Sequence, residues 1–168
     1  MTPDRHGAGS IEFPSELEIL LTREFEAPIE LVFEVLTMPE HVHKWFAPFD
    51  HTMTVCSIDL RVGGNYHMVF VTEDGTECSF RGTFLEVEPP TRTVKTWLFE
   101  GWPDAEAVES TDLHETDGVT KLMNRLAFRD KAGRDRMTTF EGMDDSFDNM
   151  EEYVRSLSHR PNGTASGG

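Results

Sequence analysis

Three histidines lie close together in the chain, His41, His43 and His51, with Asp50 beside the last of them. Imidazole nitrogens and carboxylate oxygens are zinc ligands, which makes this group the first metal-site candidate. Its spacing argues against the role. His41 and His43 fall in a predicted helix, where residues two apart point in different directions, and a histidine pair leaves a tetrahedral zinc site incomplete. A solvated helix surface accounts for them. Glu86 and Asp112 are the carboxylates placed for acid–base chemistry, but both fit strand-edge positions facing water, and two carboxylates at unknown separation do not establish catalysis. Cys56 and Cys78 sit in predicted strands without a CxxC spacing; buried free thiols are expected, with a cross-strand disulfide as the alternative. The chain holds no GxSxG, HExxH, P-loop or GxGxxG pattern. Gly63-Gly64 leads into a strand, so it marks a turn and not a phosphate cradle. No catalytic constellation is recognised, and no cofactor or metal is implied.

Ligand binding is the chemistry the residues favour. Asn124 stands among Leu122, Leu126 and Phe128 on one predicted strand face, and Thr96 stands beside Leu98. A buried polar group needs a partner, and water, backbone or a ligand can supply it. Trp45, Trp97 and Trp102 suit a pocket mouth, because indole joins a large apolar body to one donor. His67 is expected on an outer strand face and His114 beside a hairpin, exposed.

The elements that must position these groups follow from periodicity. A strand is expected over residues 16–26, where Leu17, Ile19, Leu21 and Phe25 alternate with Glu18, Leu20 and Glu24. Pro28 and Pro39 open two short helices, through Leu36 and Phe46. Six strands are then expected, over 52–60, 65–72, 77–88, 91–99, 105–115 and 120–128. Asp74-Gly75 and Asp117-Gly118 supply hairpin turns. Gly82 within its strand marks a bulge or a close approach. The fifth strand has faces Val94/Thr96/Leu98 and Thr93/Lys95/Trp97/Phe99, and periodicity does not say which points inward. The sixth is polar and reads as an edge or one-sided strand. Residues 130–139 read as a short helix or a leading turn. The last element is a long amphipathic helix: Phe140, Met143, Phe147, Met150, Val154 and Leu157 form one face, and Asp144, Asp145, Asp148, Glu151 and Glu152 form an acidic opposite face.

The chain has 168 residues, enough for one domain with its own core. Its net charge of -16 argues against nucleic acid and against an anionic membrane, which both need basic surface. No secretory leader and no apolar run of membrane-spanning length is visible, so the cytoplasm is the expected compartment. Residues 1–15 and 159–168 are expected to be unstructured, leaving a single domain over 16–158.

A family resemblance is spread along that domain. Its residues are Thr22 to Pro28, Met38-Pro39-Glu40-His41, Trp45-Phe46-Ala47-Pro48, Asp59 to Gly64, Asp74 to Glu77, Phe80-Arg81-Gly82, Val87 to Pro90, and the helix from Gly142 to Val154. In this order they resemble the START-like, helix-grip (SRPBCC) superfamily, and within it the homologues of the activator of heat-shock-protein-90 ATPase. The resemblance implies an α+β fold: a curved seven-stranded antiparallel sheet wrapped around a long C-terminal helix, with two short helices after the first strand and a cavity between helix and sheet. It implies an apolar ligand in many relatives and no single reaction. The likeness covers only the activator's pocket-type domain, so chaperone activation is not expected.

The resulting expectation is a protein that binds a small apolar or aromatic molecule, such as a lipid, a polyketide-like compound or an aromatic metabolite. Tyr66, Met68, Phe70, Phe80, Phe84, Leu122, Met143 and Phe147 are expected to line the cavity, with Asn124 as polar anchor and Trp97 and Trp102 at the mouth. The rivals are a cyclase-, dehydratase- or hydrolase-type enzyme using the same cavity, and an interaction module such as a chaperone partner or homodimer.

Overall fold

The computed structural model describes residues 10–47, 52–103, 105–138 and 142–158. The elements run β1 (Ser10–Glu12), β2 (Glu18–Phe25), α1 (Ile29–Thr37), α2 (Pro39–Trp45), β3 (Thr52–Ile58), β4 (Asn65–Val71), β5 (Glu77–Glu88), β6 (Arg92–Phe99), β7 (Ala107–Thr116), β8 (Val119–Phe128), α3 (Lys131–Thr138) and α4 (Gly142–Ser158). The strands form one open, eight-stranded antiparallel sheet in the order β1-β2-β8-β7-β6-β5-β4-β3. This is the helix-grip arrangement with one strand more than expected. The extra strand is β1, which falls in the leader read as unstructured and pairs Ser10, Ile11 and Glu12 with Thr22, Leu21 and Leu20.

The α1–α2 pair carries the chain from β2 to the far edge strand β3; each later strand pairs with its predecessor. Prolines set the helix starts. Pro28 is extended at φ -68° and precedes α1, and Met38, extended at φ -92°, ends α1 and begins α2 before Pro39. A fixed proline φ suits a first helical turn, where no N–H is needed. The Ile29 N–H donates to Glu115 Oε1 at 2.9 Å, so a β7 carboxylate sits at the N-terminus of α1, where the helix dipole favours negative charge. At the β7–β8 hairpin, Asp117 and Gly118 have φ of 54° and 81°, the two positive values that a tight hairpin turn requires.

β7 is an interior strand between β6 and β8, so of the two readings its polarity left open, an edge or a one-sided strand, the second holds. Its inner face holds Ala107, Glu109, Thr111 and Leu113, opposite Phe128, Leu126, Asn124 and Leu122 of β8. The helix stripe is buried at Phe147, Met150 and Val154. Phe140 and the side chain of Met143 lie outside the described residues. The acidic face is not wholly solvated: Glu151 is buried. It and Asp148 meet Arg23, whose side chain points inward from β2 at 1% exposure, with N–O distances of 3.2 and 2.9 Å. Apolar periodicity misses such a pair because both partners read as surface residues.

Removing one side of a buried ion pair is costly because the buried charge left behind loses a partner; Glu151, 6% exposed, would keep Arg155 at 3.5 Å but lose the guanidinium of Arg23. Arg23→Met is therefore expected to lower unfolding free energy by about 3–5 kcal/mol, measured by urea denaturation. Phe147→Asp, which places a charge in the helix–sheet interface, is expected to abolish cooperative unfolding; an unchanged transition would show that this face carries no packing.

Candidate functional site

A cavity lies between the sheet and the helices α2 and α4. It offers about 100 Å³ to the centre of a water-sized sphere. One water needs roughly 10–15 Å³ by that measure, so the space suits several waters or a small organic molecule.

Aromatic side chains form most of its wall. Phe80 lies at the centre of a cluster, with ring centroids 5.8 Å from Phe70, 5.7 Å from Trp97 and 5.3 Å from Phe46. Trp45 packs against Phe147 at 6.0 Å, and its indole N–H donates to the Val35 carbonyl at 2.9 Å. Ser146 Oγ donates to the Phe46 carbonyl at 2.5 Å and Asn149 Nδ2 to the Ala47 carbonyl at 2.9 Å, tying the first half of α4 to the end of α2. Tyr66 hydroxyl donates to the Thr96 carbonyl at 2.8 Å. This geometry needs Gly82: a Cβ there would stand 1.9 Å from the Thr96 carbonyl oxygen and 2.8 Å from the Tyr66 ring.

The remaining wall is polar, and strand register builds it. Across the sheet, Leu21, Asn124, Thr111 and Thr93 form one rung, and Leu126, Glu109, Lys95 and Phe84 form the next. Lys95 Nζ lies 3.3 Å from Glu109 Oε1, with side chains only 19% and 15% exposed. The ammonium also sits over the Tyr66 ring, 4.5 Å from its centroid, where an aromatic face attracts a cation. Asn124 Nδ2 donates to Glu109 Oε2 at 2.8 Å and to Thr111 Oγ1 at 2.9 Å. Burial, and after it the Glu109 charge, hold the Tyr66 hydroxyl well above its ordinary pKa.

Of the expected lining residues, Tyr66, Met68, Phe70, Phe80, Phe84, Trp97, Asn124 and Phe147 border the cavity. Leu122 does not; it is fully buried in the core beneath. Trp102 is also absent from the wall and packs edge-on against Phe99 at 5.0 Å. The side chain of Met143 lies outside the described residues. Trp45 is part of the wall, buried rather than at a rim. The open question on β6 resolves to Thr93, Lys95 and Trp97 pointing inward. Glu86 and Asp112 face outward instead and share Arg92, at 3.1 and 2.7 Å. His41 is half-buried, its Nδ1 2.7 Å from the Tyr153 hydroxyl, rather than on a solvated surface. Asp50 and His51 lie outside the described residues, and no group of metal-binding side chains occurs among the described ones. His67 is exposed beside Ser79, and His114 is exposed. Cys56 and Cys78 are free thiols, and burial pushes Cys56 up to about 11.

Sequence reasoning missed Lys95, Glu109, Thr111 and Thr93. The available signal was the Asp117-Gly118 turn, which fixes Thr111 opposite Asn124 and so carries the inward face of β8 over to β7.

Because Tyr66 ionises less readily folded than unfolded, the unfolded state loses this proton first. The Tyr66 contribution to stability is therefore expected to be full below about pH 10 and to fall above it by up to about 1.4 kcal/mol per pH unit, on top of the fall that the raised Cys56 thiol brings from about pH 9. In a Tyr153→Phe background phenolate absorbance reports Tyr66 alone; it should appear only with unfolding, and a normal titration in the folded protein would contradict the buried geometry.

The family model described as Activator of Hsp90 ATPase homolog 1-like protein matches residues 26–155. Comparison with curated proteins gives no match. Among solved structures, a protein from Rhodobacter sphaeroides is similar at TM-score 0.82 and 21% identity, covering 89% of this chain and 100% of that one. A protein from Nitrosomonas europaea is similar at TM-score 0.74 and 26% identity, covering 86% and 98%. The AHSA1-like protein from Aeromonas hydrophila is similar at TM-score 0.65 and 23% identity, covering 83% and 94%. The matched span runs from before α1 into the last turn of α4, the whole of the sheet but its first strands, and the chain belongs to the Activator of Hsp90 ATPase homolog 1-like family.

Proposed function

We propose that this protein binds a small apolar or aromatic molecule in the cavity between the sheet and α4. The observation that carries the reading is the cavity itself: a space of about 100 Å³ walled by aromatic residues from sheet and helices, with a polar group concentrated on one side. Binding sites for small molecules have this character, an apolar enclosure with a few placed polar groups. The likeness to START-like proteins supports the same reading. The net charge of -16 weighs against nucleic acid as partner. No helix among the described residues is long and apolar enough to cross a membrane. The two free thiols agree with a reducing cytoplasm. The large apolar side chains that are exposed, such as Ile11, Val55, Leu85 and Met123, are spread over β1, β3, β5 and β8, which lends less support to an interaction module or homodimer.

The Lys95–Glu109 pair inside the cavity favours one second reading, acid–base chemistry on the bound molecule, with Glu109 as acceptor and Lys95 as donor. Under that reading Glu109→Gln would bind the molecule and leave it unchanged.

A ligand that binds only the folded state stabilises it by about 2.7 kcal/mol at a hundredfold excess over Kd. In a thermal-shift screen of apolar and aromatic compounds, Tm is expected to rise by several degrees for the ones that fit. Met68→Trp fills the space and should abolish that rise, at an overpacking cost of about 1–3 kcal/mol. A screen without stabilising compounds, or a Tm rise that persists unaltered in Met68→Trp, would end the binding reading.

A further inference from the structure

The polar side of the cavity is incompletely satisfied, and the pattern of what is missing is specific. Thr93 borders the cavity at 7% exposure, and its hydroxyl makes no hydrogen bond among the described residues. Thr111, 6% exposed, accepts from Asn124, which leaves its own proton without an acceptor there. Lys95 directs one N–H toward Glu109 and keeps others. The open acceptors are Oδ1 of Asn124, whose amide nitrogen is fully used, the Thr93 oxygen, and the lone pairs Glu109 keeps beyond Lys95 and Asn124. On the β6 side, at Thr93 and Lys95, donors are the charged and protic groups left open, and buried polar groups normally find partners, so an occupant there would meet them with an oxygen acceptor. The charge state narrows it further. Lys95 and Glu109 neutralise each other, and a carboxylate would add an unpaired negative charge to a largely apolar enclosure.

We infer that the cavity takes a neutral planar aromatic molecule bearing a carbonyl oxygen, with that oxygen on the Thr93–Lys95 side of β6 and the ring against Tyr66, Phe84 and Trp97. A hydrocarbon of the same shape would fill the space and leave the donors unmet. This assignment rests on the cavity-binding reading and names its ligand class.

The test uses three matched bicyclic probes, indane, indanone and indane carboxylate, titrated calorimetrically into the full chain. Thr93→Val is nearly isosteric and strands no partner, so it isolates the hydroxyl. The double variant Lys95→Met/Glu109→Gln removes both charges together. Thr93→Val is expected to weaken indanone roughly tenfold and to leave indane unchanged; the double variant should again weaken indanone selectively. In the unaltered protein the carboxylate should bind less tightly than indanone. Equal shifts for indane and indanone in both variants would overturn the carbonyl assignment while leaving cavity binding intact. Tighter binding of the carboxylate would overturn the neutral ligand class. Failure of all three probes to bind the unaltered protein, where the wider screen does find stabilising compounds, would overturn this inference and leave cavity binding intact.

Discussion

Arg23 is a guanidinium at 1% exposure on the inner face of a strand. α4 brings Glu151 and Asp148 to it, and this contact constrains everything above the sheet. It places the middle of α4 over β2, near one side of the sheet, and fixes which way the helix is turned. With Asp148 and Glu151 held toward β2, the preceding turn presents Ser146 and Phe147 to the cavity. The bonds from Ser146 and Asn149 to the end of α2 then close the helical layer. The cavity is the space left between that layer and the curve of β4 to β8. A buried pair of this kind contributes less net stability than apolar packing of equal volume. Its effect is to disfavour other placements of the helix, since a shift along α4 would separate Asp148 and Glu151 from the buried guanidinium, leaving Glu151 with Arg155 of its own helix at 3.5 Å.

The polar wall depends on register in the same way. Lys95 and Glu109 are direct cross-strand neighbours, as are Thr93 and Thr111, and Asn124 bonds to one residue on each of the two rungs. Slipping β7 by a single residue would turn Glu109 and Thr111 outward and bring Val108 in. Gly82 serves the adjoining aromatic wall. Without a Cβ, it lets Tyr66 reach the Thr96 carbonyl and lie flat beneath the Lys95 ammonium. The aromatic and polar halves of the site are thus joined through one tyrosine.

The architecture was largely readable from periodicity. Strand alternation in β2, β4, β5 and β8, the prolines before α1 and α2, and the 3–4 spacing in α4 all report which side chains face inward, because inward meant apolar. The errors come from places where that equation fails. The polarity of β7 leaves open an edge or a one-sided strand, because Glu109 and Thr111 alternate with Ala107 and Leu113 on its inner face and no apolar stripe marks it. Asp148 and Glu151 belong to the acidic face opposite the apolar stripe, and that polarity does not reveal that they meet Arg23. Leu122 and Trp102 fail for another reason: facing inward does not say whether a side chain meets a void or its neighbours, and that depends on where the helix stands off the sheet, a distance periodicity does not encode.

The two departures from apolar patterning differ in a way that separates structure from function. A sequence that specifies one fold agrees with itself at each level, and violations concentrate where something other than folding is served. Arg23 is such a violation, but its partners come from the same chain, so its compensation is internal and its role is architectural. The Thr93–Lys95–Glu109–Thr111–Asn124 group is compensated only in part. Its charges cancel and the amide nitrogen of Asn124 is fully used, yet hydroxyl protons and the oxygen of that amide border the cavity without partners among the described residues. Folding alone would be served as well by valine at position 93, which fits the strand and leaves nothing unmet. The polar wall beside the aromatic enclosure is thus the part of the chain that the needs of the fold do not account for, and the proposed occupant is what would complete it.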